Sequence, residues 1–178
     1  MIQHVIMLMA VMCVSCQSTK ISVLEQSPEF KLANYDTFGF YNTETTGVLS
    51  DNYQRNIDFL QEEIAKQMAF RGIMITDEDP ELMINLGVLV EKKDQTRETN
   101  LATDPGTFNY IGQQRYTWKA EQIKVGSYRK GTVTVHLVDA KQNKALWVAV
   151  TERILSEKED RLMQTIKDGV EEMFDYIP

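Results

Sequence analysis

The stretch Thr132–Leu155 reads TVTVHLVDAKQNKALWVAVTERIL. Val133, Val135 and Leu137 alternate with Thr132, Thr134 and His136, the period of a strand with one face buried. Asp139–Lys144, DAKQNK, carries turn chemistry, because an Asp side chain can bond backbone amides just ahead of it. Alternation then resumes over Ala145–Leu155, with Leu146, Val148 and Val150 on one face and Trp147, Ala149 and Thr151 on the other. Two alternating runs across a short polar turn predict an antiparallel hairpin, and a hairpin with two such faces needs further layers to cover it.

Those layers are legible on either side. Downstream, Leu162, Ile166, Val170 and Met173 recur at helical spacing, so a helix is expected over Glu159–Tyr176, flanked by Met163, Phe174 and Ile177. Ser156 stands three residues before Glu159, the spacing of a capping box. Upstream, Ile57, Leu60, Ile64 and Met68 continue a stripe begun by Tyr53, which predicts a helix over Asn52–Phe70 with Ser50 or Asp51 as its N-cap and Gly72 as a left-handed C-terminal stop. Strands are expected at Thr37–Asn42, at Leu82–Glu91 and, as a short edge, at Ile73–Ile75. A strand, a helix and a strand in succession imply a parallel crossover. Thr76–Glu81 reads as an acidic turn, Lys92–Gly106 as an exposed loop and Thr107–Val125 as a strand or hairpin arm. The sum is an α+β fold: a single, mostly antiparallel mixed sheet with two helices packed on one face.

The 178-residue chain carries 19 Lys plus Arg against 26 Asp plus Glu, a net charge of −7, so it lacks the basic field that nonspecific nucleic-acid binding requires. Its amino end is apolar. Val5–Val14, VIMLMAVMCV, forms a helix of about 15 Å, half of a hydrocarbon core of ~30 Å, and so matches the apolar region of a secretory signal rather than a membrane span. Cys13-Val14-Ser15-Cys16 resembles a bacterial lipobox, in which a small residue precedes a Cys that is cleaved to residue one and acylated. The expected organisation is a signal peptide over 1–15, a lipidated tether and lead-in over 16–34, and one domain over 35–178. Acyl chains on Cys16, palmitate among them, exceed the two-signal requirement for stable attachment, so the body is expected to be anchored to membrane lipid without spanning it. Gln17-Ser18-Thr19 holds no acid beside the anchor, the pattern of lipoproteins sent to the outer membrane and facing the periplasm.

The second half resembles a known family. Tyr128–Ala140, YRKGTVTVHLVDA, followed by Leu146-Trp147, is similar to the signature of the bacterial lipoproteins that share the domain of unknown function 4136. Tyr35–Phe40, Leu60–Ala65 leading to Arg71-Gly72, and Asp79–Leu82 are similar to its first strand, first helix and acidic turn. The resemblance covers about residues 30–178 and implies an envelope lipoprotein with no assigned activity and no catalytic residues to carry over.

Once the leader is removed the body keeps His136 and no thiol beyond Cys16, which argues against a structural zinc site, a disulfide scaffold and His-dependent nucleophilic catalysis. No cofactor is implied. Asp77, Glu78, Asp79 and Glu81 lack the alternating ligands of a calcium loop and read as a solvated turn. Glu62 and Glu63 are placed on the exposed helix face, and Trp147 in the core. One basic, aromatic stretch stands out in the acidic chain: Arg115, Trp118 and Arg129 are the candidate partner surface, with the arginines exposed beside a half-buried Trp. The expected function is a noncatalytic adaptor for an envelope protein or cell-wall partner. The alternatives are a small-ligand or glycan-binding module and a carboxylate-based hydrolase.

Overall fold

Residues 20–99 and 122–178 are described in a computed structural model. The elements in order are β1 (Lys20–Gln26), a 3-10 turn at Leu32–Asn34, β2 (Thr37–Gly47), α1 (Tyr53–Phe70), β3 (Met74–Ile75), β4 (Leu82–Glu98), β5 (Gln122–Asp139), β6 (Lys144–Leu155) and α2 (Glu159–Phe174). The six strands form one sheet in the order β1-β6-β5-β4-β2-β3. β5 pairs antiparallel with β4 and with β6, and β6 pairs antiparallel with β1. β2 runs parallel to β3 and β4, as the strand–helix–strand order requires. The α+β reading with a mixed sheet and two helices holds.

The hairpin forms where its alternation placed it. Asp139 Oδ1 accepts the Gln142 amide at 2.8 Å, and Asn143 takes a positive φ of 48° to close the turn. The inward column of β5 and β6 pairs Leu137 with Trp147, Val135 with Ala149 and Val133 with Thr151. Trp147 and Leu137 are fully buried, together with Phe38, Ile84, Leu82, Met68 and Phe174. The apolar stripes of α1 and α2 cover this face, in one core cluster. The helices lie with like ends together. Arg55 pairs with Glu159 near their amino ends, and at the carboxyl ends Arg71 lies 5.0 Å from the Phe174 ring and donates to the Phe174 carbonyl at 3.3 Å.

The acidic turn is a fold device. Glu81 Oε2 accepts the Asp36 amide at 2.7 Å, and the Glu81 amide donates to Thr37 Oγ1 at 3.1 Å, so this residue clamps the starts of β2 and β4 together. Asp79 supplies the turn's positive φ of 47°.

Several expectations are corrected. The lead-in holds a strand: β1 adds to the free edge of β6 from Lys20 onward, so the folded sheet starts well before residue 35. β2 continues to Gly47, and β4 and β5 run on through Glu98 and from Gln122, so residues 92–98 are paired strand rather than loop. The outer parts of β2 and β4 carry mostly exposed side chains, so no buried face imposes alternation on them. Neither expected cap bonds its helix. The N-cap of α1 is Asn52 and that of α2 is Lys158, both without a side-chain cap bond, and Ser156 Oγ instead accepts the Lys158 amide. Gly72 does take the left-handed stop, at φ 83°. Glu63 is buried, not exposed, and its carboxylate pairs with Lys66 at 2.8 Å.

Replacing Trp147 with Ala is expected to cost about 3–5 kcal/mol in chemical denaturation, whereas Ile154→Ala, on an exposed side chain of the same strand, is expected to stay within about 0.5 kcal/mol.

Candidate functional site

The helical stripes do not seal the whole inner face. At their carboxyl ends Met68, Val170, Met173 and Phe174 are buried, but toward the amino ends Leu162 and Ile166 are only half-buried and Tyr53 is 38% exposed. These residues have the right spacing for a core, yet no side chain fills the space in front of them. A cavity of about 110 Å³ results, bounded by the inner sheet face, by α1 from Tyr53 to Ile64, by α2 from Leu162 to Phe174, and by Val48–Ser50 after β2.

Its sheet wall changes character along the strands. Val135, Val133 and Val88 line the inner part. Further along the same face β5 and β6 present Gly131 opposite Arg153 and Arg129 opposite Leu155. The strand period places Arg153 inward, two residues beyond Thr151 and four beyond Ala149. Two glycines accommodate this end. A Cβ on Gly131 would meet Leu155 Cδ2 at 2.9 Å, so the missing side chain lets Leu155 fold over the strand. Gly131 is thus a close-approach residue within β5. A Cβ on Gly169, inside α2, would meet Arg153 Nε at 3.1 Å, so the helix gives up a side chain to let the arginine pass.

The guanidinium groups are incompletely satisfied. Arg129 Nη2 reaches the Ser156 carbonyl only at 3.5 Å, and Arg129 Nε is buried without a partner. Arg153 Nη2 lies 3.1 Å from Glu172 Oε2, near enough for charge attraction but misaligned for a hydrogen bond, and Arg153 Nε has no acceptor. The Thr151 hydroxyl between them and the core is also buried and unpaired. Neighbouring lysines differ. Lys124 pairs with Asp94 at 2.5 Å and Lys93 with Glu91 at 2.7 Å. Lys130 pairs with Glu152 at 2.8 Å, and that hydrogen bond lifts its pKa above the ordinary lysine value. Among the described residues no acidic one lines the cavity.

Of the residues singled out from the sequence, Arg129 is half-buried at the cavity rather than exposed, because strand alternation turns it to the helix side. Arg115 and Trp118, and the lipidation candidate Cys16, lie outside the described residues. Trp147 is core. Among the described residues no three His, Cys, Asp or Glu side chains come together as a metal site. The cavity itself was missed, and Arg153 was the one signal for it: an arginine at an inward strand position, followed sixteen residues later by a glycine inside a helix.

The model of the family described as a domain of unknown function (DUF4136) matches residues 23–178. No functionally curated protein matches the chain. Among solved structures the chain is similar to a PDZ domain protein from Parabacteroides distasonis ATCC 8503, at 18% identity and a TM-score of 0.51. That match covers 89% of this chain and 35% of the other, so this chain spans about a third of that protein's length. It is also similar to PelC from Paraburkholderia phytofirmans, crystallised as a dodecamer, at 11% identity and a TM-score of 0.50, with 88% of this chain and 94% of that one covered. At these identities the likeness is one of fold.

An open helix position gains about 1 kcal/mol when Gly becomes Ala. Gly169→Ala is expected to show no such gain, because its Cβ presses on Arg153. In a double-mutant cycle with Arg153→Ala the gain is expected to return, with a coupling energy above about 0.5 kcal/mol by urea denaturation.

Proposed function

The chain belongs to the DUF4136 family, and we propose that this protein is a noncatalytic lipoprotein of the cell envelope whose body holds the apolar part of a ligand between its helices and its sheet. The observation that carries the reading is the cavity: a mostly apolar lining, interrupted by Arg129, Thr151 and Arg153, whose helix residues have core spacing but incomplete cover. Gly131 and Gly169 give their side-chain space to Leu155 and Arg153, and the void beside them stays uncovered, which favours a guest.

The anchor reading rests on Val5–Cys16, an apolar run followed by a small residue and a Cys. Acylation of Cys16 ties the body to membrane lipid, in the outer membrane and facing the periplasm. Among the described residues no helix is long and apolar enough to cross a membrane. β1 enters the sheet at Lys20, four residues after Cys16, opposite Glu152 of β6. The tether is therefore at most ~14 Å long, which brings the Arg153 end of the sheet close to the lipid surface. That placement favours ligand binding over the adaptor reading, for which Arg129 is the sole candidate residue among those described.

The full-length Cys16→Ser protein is expected to leave the membrane fraction, to stop incorporating palmitate, and to bind dodecanol saturably at one site by titration calorimetry. Palmitate incorporation into the variant removes the anchor assignment, and absence of dodecanol binding removes the ligand-binding reading.

A further inference from the structure

Resting on that binding reading, we infer that the ligand is an anionic single-chain amphiphile, a fatty acid, whose chain fills the cavity and whose carboxylate is held by Arg129 and Arg153.

Shape comes first. The strand wall from Arg129 to Val135 extends roughly 20 Å at ~3.3 Å per residue. The α1 wall from Tyr53 to Ile64 extends roughly 16 Å at 1.5 Å per residue. We take the void of about 110 Å³ along these walls as a slot suited to an unbranched chain.

Charge fixes the other end. Two arginines stand on the inward face of adjacent strands, separated by one step along the ladder, since Arg153 pairs with Gly131 and Arg129 with Leu155. Burying a guanidinium nitrogen without an acceptor is costly. Arg129 Nε and Arg153 Nε both carry that cost. Glu172, the acid near Arg153, lies on its solvent side with 46% of its side chain exposed, and no carboxylate among the described residues pairs with Arg129. A carboxylate presents two oxygens to such donors and satisfies them in a partly dry site, where charge-assisted hydrogen bonds are strongest. Lys93, Lys124 and Lys130 are each paired to an acid, Arg153 lies beside Glu172, and Arg129 has no carboxylate partner among the described residues. A cationic amphiphile is excluded by the same two charges, and a neutral one leaves the donors unmet.

The test uses the full-length Cys16→Ser protein and three probes with one chain length, each kept below its micelle-forming concentration: dodecanoate, dodecanol and dodecyltrimethylammonium. Titration calorimetry at pH 7.5 is expected to give dodecanoate at least about tenfold tighter binding than dodecanol, with no saturable binding of the ammonium probe. Arg129→Gln is expected to bring the affinity for dodecanoate close to that for dodecanol. Arg153→Gln is expected to act alike if it folds; the comparison of probes on the unsubstituted arginines stands without it. Equal affinity for dodecanoate and dodecanol overturns the fatty-acid inference and leaves the apolar site intact. Failure of every probe to bind overturns the binding reading itself.

Discussion

The inward column of the β5–β6 ladder is the constraint from which the rest of the structure follows. Its apolar half, Leu137 with Trp147 and Val135 with Ala149, draws both helices onto one face and buries Phe38, Met68 and Phe174 around the indole. Its polar half, Thr151, Arg153 and Arg129, cannot be covered in the same way. A helix pressed flat onto two guanidinium groups would bury charge without a partner. The helices seal the core at their carboxyl ends, where α2 also packs Arg153 against Gly169, and leave Tyr53, Leu162 and Ile166 incompletely covered toward their amino ends. The slot is what that incomplete cover leaves, and Gly131 and Gly169 let Leu155 and Arg153 pack closely beside it.

Much of the fold was legible because burial writes a period into the sequence. The hairpin, both helices, the parallel crossover, the Gly72 stop and the Asp139 turn all depend on residues whose neighbours enforce their type. β1 was not legible. As an edge strand with a half-solvated face it needs no strict alternation, and KISVLEQ shows little. The outer part of β4 was hidden for a related reason: from Lys92 onward its side chains are mostly exposed, so no burial imposes a period on KKDQTRE.

The site was less legible than the fold. Leu162 and Ile166 look the same in sequence as Val170 and Met173, though the first pair faces space and the second faces core. Arg153 was the recoverable clue, since counting in twos from Ala149 puts it inward, but a charged residue near a strand end reads by habit as solvated. Arg129 was singled out for its company of aromatics and cations, and the structure gives it a different setting: a wall of the slot, with its charge turned toward the helices.

The central claim is that this slot is a place for a guest. The most direct measurement is an isotope-filtered nuclear Overhauser spectrum of the full-length Cys16→Ser protein, labelled at its Val, Leu and Ile methyl groups, with unlabelled dodecanoate bound. The account predicts cross-peaks from chain protons to Val133, Val88, Leu155 and Leu162. Cross-peaks confined to exposed methyls such as those of Ile154 and Leu24 would contradict it.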